Sequence, residues 1–166
     1  FSLVKAGSML GISTACGIIG AIAYGFISDK LFNARRPPVN LVFGLLELLA
    51  LSLIFFGPAG NTFILSLAFA CYGFSLNGLV AALGGLFAVD ISPKKAAGAA
   101  IGFIGIFSYV GAATQDLISG YFIDRGTTII EGVRHYDFST ALIFWMGTSI
   151  LSLILATTLW RAKVSD

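Results

Sequence analysis

The sequence predicts an all-α protein built as a polytopic bundle of membrane-spanning helices. Three observations carry that prediction. Of the 166 residues, 57% are hydrophobic and 11% charged, less than half the ~25% charge of an ordinary soluble domain. Five apolar segments recur along the whole length, each close to the ~20 residues a helix needs to cross ~30 Å of hydrocarbon. None alternates with period two as a membrane β-strand does. Helices are the other way to satisfy every backbone group in lipid.

The spans are expected at about 7–27, 39–56, 62–89, 96–123 and 138–160. Twenty glycines are too many for a soluble helical bundle but suit closely packed membrane helices. The connections are punctuated by turn formers. Arg35-Arg36-Pro37-Pro38 precedes the second span, Gly57-Pro58-Ala59-Gly60-Asn61 separates the second from the third, and Asp90-Ile91-Ser92-Pro93-Lys94-Lys95 the third from the fourth. The longest link, 124–137, is polar and mixed in charge. Basic residues set the expected orientation. Lys30, Arg35, Arg36, Lys94, Lys95, Arg161 and Lys163 fall on one side, and Lys5, Arg125 and Arg134 on the other. The richer side, with the C-terminus, is expected in the cytoplasm. The odd number of spans and the initial Phe1 suit a piece of a longer chain.

Small residues recur at helical spacing on three spans. Ser13, Gly17, Gly20 and Tyr24 mark one face of the first; Ser66, Ala70, Gly73, Asn77, Ala81 and Gly84 one face of the third; Gly98, Gly102, Gly105, Tyr109, Ala112 and Asp116 one face of the fourth. Such faces let helix backbones approach closely. They also line polar cavities, and on that reading Tyr24, Asn77, Tyr109, Gln115 and Asp116 are candidates for the solute pathway. Two acids, Glu47 and Asp116, stand inside spans. A carboxylate in the bilayer is expensive, so such a group faces the bundle interior or a wet cavity and is a functional candidate. Glu47 has no basic residue in its own span, so a neutral, hydrogen-bonded carboxyl is the alternative to a functional role.

The loop after the first span runs Gly25-Phe26-Ile27-Ser28-Asp29-Lys30-Leu31-Phe32-Asn33-Ala34-Arg35-Arg36. An acid at a helix end followed by a basic cluster can form an ion-pair latch between neighbouring helices. A solvated positive-inside loop is the plainer reading. The residues Gly25, Asp29, Lys30, Arg35 and Arg36 resemble the G-x-x-x-D-K/R-x-x-x-x-R-R motif of the major facilitator superfamily. Ser28-Asp29-Lys30-Leu31-Phe32-Asn33 is similar to its organophosphate:phosphate antiporter branch. Pro93-Lys94-Lys95-Ala96-Ala97-Gly98-Ala99-Ala100, continuing through Gly102-Phe103, Gly105, Phe107, Tyr109 and Gly111, resembles helix 11 of the bacterial glycerol-3-phosphate and hexose-6-phosphate transporters and of the hexose-phosphate sensor.

The resemblance covers nearly all of the chain. It implies that residues 1–166 are part of the C-terminal six-helix half, about helices 8 to 12, of a twelve-helix carrier in the bacterial inner membrane. It implies exchange of an organic phosphate for inorganic phosphate by rocking of the two halves, with no cofactor. The implied partners are the lipid bilayer, the N-terminal half and seventh helix of the same carrier, the phosphorylated solute and inorganic phosphate. The family's main phosphate-binding arginines sit on helices 1 and 7, outside this sequence, and the five spans hold no central Lys or Arg. This chain alone is therefore expected not to bind a phosphate ester. It departs from the family in three places: Asn77-Gly78-Leu79-Val80 lacks a proline, Gln115 and Asp116 replace small or apolar residues of the sensor branch, and the 124–137 link is long. Glycerol 3-phosphate and hexose 6-phosphate both stay open as solutes, as does a sensor role. A complete five-helix structural protein is the remaining alternative.

Other classes are disfavoured. Cys16 and Cys71 lie in apolar runs without a CxxC, and His135 is the lone histidine, so neither a disulfide framework nor a metal site is expected. A net charge of +2 gives no reason to expect a nucleic-acid partner. The spans contain no nucleophile–base pair and no Gly-rich phosphate loop, so an enzyme is not expected.

Overall fold

The structure is a computed structural model that describes residues 3–58, 60–130 and 132–158. Its helices are α1 (Leu3–Leu31), α2 (Arg36–Phe56), α3 (Thr62–Ala81), α4 (Phe87–Ile91), α5 (Ala97–Gly126) and α6 (Ser139–Thr158). A π-helical segment, Ala82–Leu86, joins α3 to α4 in one continuous rod. Five rods, 4–31, 36–56, 62–90, 97–126 and 139–158, are long and apolar enough to cross a membrane. The predicted spans all lie within or against these rods. The expected end of the last span at Trp160, with Arg161 and Lys163, falls outside the described residues.

The rods outrun several predicted spans. The 29 residues of α1 rise ~43 Å at 1.5 Å each, which carries the polar turn Ser28-Asp29-Lys30 past the hydrocarbon and into the headgroup layer. The chain then reverses over four residues. Asn33 and Ala34 adopt left-handed φ of 51° and 61°, comfortable for Asn and costly for Ala. The Ala34 amide donates to the Ser28 carbonyl and the Arg35 amide to the Phe32 carbonyl. Prolines in the first turn of α2 start the next helix where their missing amides lose no bond. At the other end Gly60, at φ +88°, completes the turn, and the Asn61 side chain caps α3 by accepting from the Ile64 amide at 3.1 Å.

Two features depart from plain α-helix. Within the third rod the Phe87 amide donates to the Ala82 carbonyl, an i→i+5 bond around the pair Gly84-Gly85. The long 124–137 link contains a β-hairpin, β1 (Thr128–Ile130) paired antiparallel with β2 (Val133–His135), turning at Gly132 with φ +79°. It is a small addition to an otherwise helical architecture.

Packing is concentrated on one side. α1 lies along α3, α3 along α2, and α2 along α6. The α1–α3 contact is built on glycine. A Cβ at Gly20 would collide with the backbone carbonyl of Phe74, and one at Gly73 with the Ser13 carbonyl. At the basic end, Tyr24, Val39, Phe43 and Ala82 form a buried cluster. The rings of Tyr24 and Phe43 meet edge-on at 5.1 Å, and Phe43 stacks on Phe74 at 5.4 Å. Large apolar side chains such as Ile18, Ile22 and Phe26 on α1 point outward, a surface that lipid accepts and water penalises.

Candidate functional site

Three helix ends converge on Arg36. Asp29 closes α1, Arg36 opens α2, and Asp90 stands near the end of α4. The Arg36 Nε donates to Asp90 Oδ2 at 2.8 Å, and its Nη1 donates to Asp29 Oδ1 at 3.0 Å and to the Ser28 hydroxyl at 2.8 Å. The guanidinium fork suits this, because it presents several donors in a fixed plane. Its side chain is only 10% exposed, against 30% for Asp90 and 60% for Asp29. The Asp90 bond is therefore the stronger of the two, since solvent screens the Asp29 pair. Tyr24 braces the site from below. Fully buried, it donates its hydroxyl to Asn40 Oδ1, and it lies 3.5 Å from the Arg36 carbonyl.

This arrangement contains an ion-pair latch, the sharper of the two readings of the loop. Its members run from Ser28 to Asp90, and the loop alone does not reveal them all. Asp29 and Arg36 were legible from the spacing. Asp90 was not, because nothing local marks a side chain as the partner of one 54 residues away; Ser28 and Asn40 are near in sequence but carry no charge to single them out. Gly25 borders open space. Lys30 and Arg35 are exposed at the same end.

The pathway candidates divide into two groups. Tyr24 belongs to the buried cluster beside the latch. Asn77 stands against Gly17 across the α1–α3 contact, and its amide donates to the Gly73 carbonyl at 3.0 Å. Tyr109, Gln115 and Asp116 lie exposed on α5, with Tyr109 at 81%. Gly98, Gly102 and Gly105 of the same helix have nothing within 4 Å of a built Cβ. Within this chain the five residues do not meet. The stripes of α1 and α3 close on each other, while that of α5 is open.

Residues 1–115 match the Major Facilitator Superfamily. The chain belongs to that superfamily. Among its relatives, the glycerol-3-phosphate transporter of Bacillus subtilis is 33% identical over 146 residues, 87% of this chain and 30% of that protein. The membrane sensor protein UhpC of Escherichia coli is 39% identical over 111 residues, 67% of this chain and 25% of that protein. A probable hexose phosphate transport protein of Chlamydia trachomatis is 30% identical over 170 residues, 98% of this chain and 34% of that protein. This facilitator chain thus spans between a quarter and about a third of the length of these relatives. They agree with the organophosphate:phosphate antiporter branch that its loop resembles. With five rods of spanning length, it is part of a multi-pass membrane protein. The latch sits at one end of the bundle, where Arg36 ties three helix ends together.

Proposed function

We propose that this chain is part of the C-terminal half, about helices 8 to 12, of a bacterial inner-membrane carrier that exchanges glycerol 3-phosphate or hexose 6-phosphate for inorganic phosphate. The carrier works by alternating access, and no covalent chemistry is involved. The observation that carries the reading is the latch. One nearly buried arginine ties the ends of three helices into a single unit, which is what a half that rocks as a body requires. The named relatives supply the solute class. In this reading the basic end and the C-terminus are cytoplasmic, and the open face of α5, with Tyr109, Gln115 and Asp116, turns toward the solute pathway and the rest of the carrier. A second reading is favoured by the likeness to UhpC: a membrane sensor of external hexose phosphate that signals to a histidine kinase.

Counterflow on the full-length protein in liposomes separates the two. A carrier exchanges internal phosphate for external radiolabelled ester, whereas a pure sensor gives no exchange. Within the carrier reading, Arg36→Gln is expected to slow exchange by about tenfold or more, the equivalent of ~1.4 kcal/mol, and Asp29→Asn by less. Wild-type exchange in Arg36→Gln would count against the latch as a working part.

A further inference from the structure

A second feature has no place in that reading. Between α2, the third rod, α5 and α6 lies a half-open cavity of about 440 Å³, with Ile104 as its α5 wall, within the ~300–1,000 Å³ typical of small-molecule sites. Its walls are mostly apolar, with Leu79, Leu83 and Phe87 on the third rod and Leu153 on α6. Asn40, Gly44 and Glu47 line it from α2 at 4-3 spacing, and Ser149 and Ser152 face them from α6. At Gly44 the two helices come so close that a Cβ would sit 2.7 Å from Leu153 Cδ1.

Glu47 is the one ionisable group among the described lining residues. The nearest cation along α2, Arg36, is already engaged by Asp29 and Asp90. Asn40, Ser149 and Ser152 bring polar groups to the same cavity, but none of the described lining residues brings a cation to balance an ionised Glu47. An ammonium group placed there forms a charge-assisted hydrogen bond, and an apolar body attached to it covers the leucines. A phosphate ester is refused, because its charge has the same sign as Glu47 and no donor cation stands opposite.

We propose that this cavity is a binding site for a small apolar amine, with Glu47 as its counter-charge and the hollow between Leu79, Leu83 and Leu153 as the seat of its hydrocarbon body. It lies behind the latch, since Pro37 and Asn40 follow Arg36 on one wall and Leu83 and Phe87 precede Asp90 on the other. It stands whichever solute the whole carrier moves.

The test uses the full-length protein in phosphatidylcholine vesicles and a pair of probes that share one body, the tertiary amine N,N-dimethyl-1-aminoadamantane and adamantane-1-sulfonate, neither of which a carbodiimide consumes. Modification of Glu47 by the apolar reagent dicyclohexylcarbodiimide is followed by peptide mass spectrometry. The amine is expected to slow that modification about tenfold at saturation, and the sulfonate is expected to leave it unchanged. Ser152→Phe, which fills the hollow and keeps the acid, should abolish protection by the amine. Equal protection by both probes, protection by neither, no modification of Glu47, or protection that survives Ser152→Phe would each overturn the proposal. Because the first comparison uses unaltered protein, it does not depend on how any variant folds. Absence of phosphate exchange in counterflow would bear on the carrier reading and leave this site untouched.

Discussion

The α1–α3 contact and the face of α5 are written in the same residues and end in different places. Both carry glycine, alanine and serine at intervals of three and four. On α1 and α3 those residues bring two backbones into contact, so that a single methyl group at Gly20 or Gly73 has no room. On α5 a Cβ at Gly98, Gly102 or Gly105 would meet nothing within 4 Å among the described residues. A stripe of small residues therefore encodes permission for close approach, and the approaching surface has to be supplied by another segment. For α1 that segment is present. Among the described residues, α5 packs mainly against α6 along one flank and the end of the third rod.

The contrast is sharpest at the glycines themselves. Gly20→Ala is expected to destabilise the α1–α3 contact by ~1–3 kcal/mol, the range of overpacking in a tight interior, because the obstacle is backbone and cannot swing aside. Gly102→Ala is expected to be neutral or to stabilise the chain by up to ~1 kcal/mol through helix propensity. Thermal unfolding of both variants in mild detergent reads the difference. Equal midpoints would break the comparison.

A smaller effect concerns what holds α5 at all. Its buried side chain is Ser119, which accepts a hydrogen bond from the Trp145 indole at 2.7 Å. Trp145 in turn stacks on Phe55 of α2 at 6.0 Å. Trp145→Phe keeps an aromatic ring and removes the donor, so a loss of ~0.5–1.5 kcal/mol is expected. It should appear as faster amide exchange in α5 with α1 and α3 unaltered. Loosening of α1 to the same degree would mean that the two regions are one cooperative unit.

The smallest effect is at the start of α6. The Ser139 amide and hydroxyl both donate to Asp137 Oδ1, and these bonds hold the Asp137 carboxyl below the usual carboxylate range. A depressed value means that the contribution is present above the unfolded value of ~3.9 and is lost as pH falls through the folded one. The Ser139 and Thr140 amides should therefore stay equally protected from neutral pH down to about pH 5 and loosen below about pH 4. Asp137→Asn should remove that pH dependence, and its persistence in the variant would assign it elsewhere.

Much of the architecture was legible because lipid imposes a strict length and a strict composition. The five spans follow from that alone, and Asp29 and Arg36 stood out because charge is scarce. What escaped was set by distance or by subtle backbone choice. Asp90 is recognisable as the partner of Arg36 only after the third rod returns to the same end. The side chain of Tyr24 fits a solute-lining face and a packed face equally well by spacing, and it is the arrival of Phe43 and Asn40 from α2 that buries it here. The π-helical segment has only Gly84-Gly85 as a local sign, which equally marks close packing. The β-hairpin had a local signal that composition masked: the run Thr127-Thr128-Ile129-Ile130 favours strands, and Gly132 supplies the turn.

The stripe of α1 is shut by α3, and in the proposed reading that of α5 turns toward the solute. Single cysteines at Ser13 and Tyr109 in the full-length protein, probed with a membrane-impermeant maleimide, test it most directly. The account predicts that Ser13→Cys stays unmodified and that Tyr109→Cys reacts and is shielded by the organic phosphate. A reactive Ser13→Cys beside an inert Tyr109→Cys would contradict it.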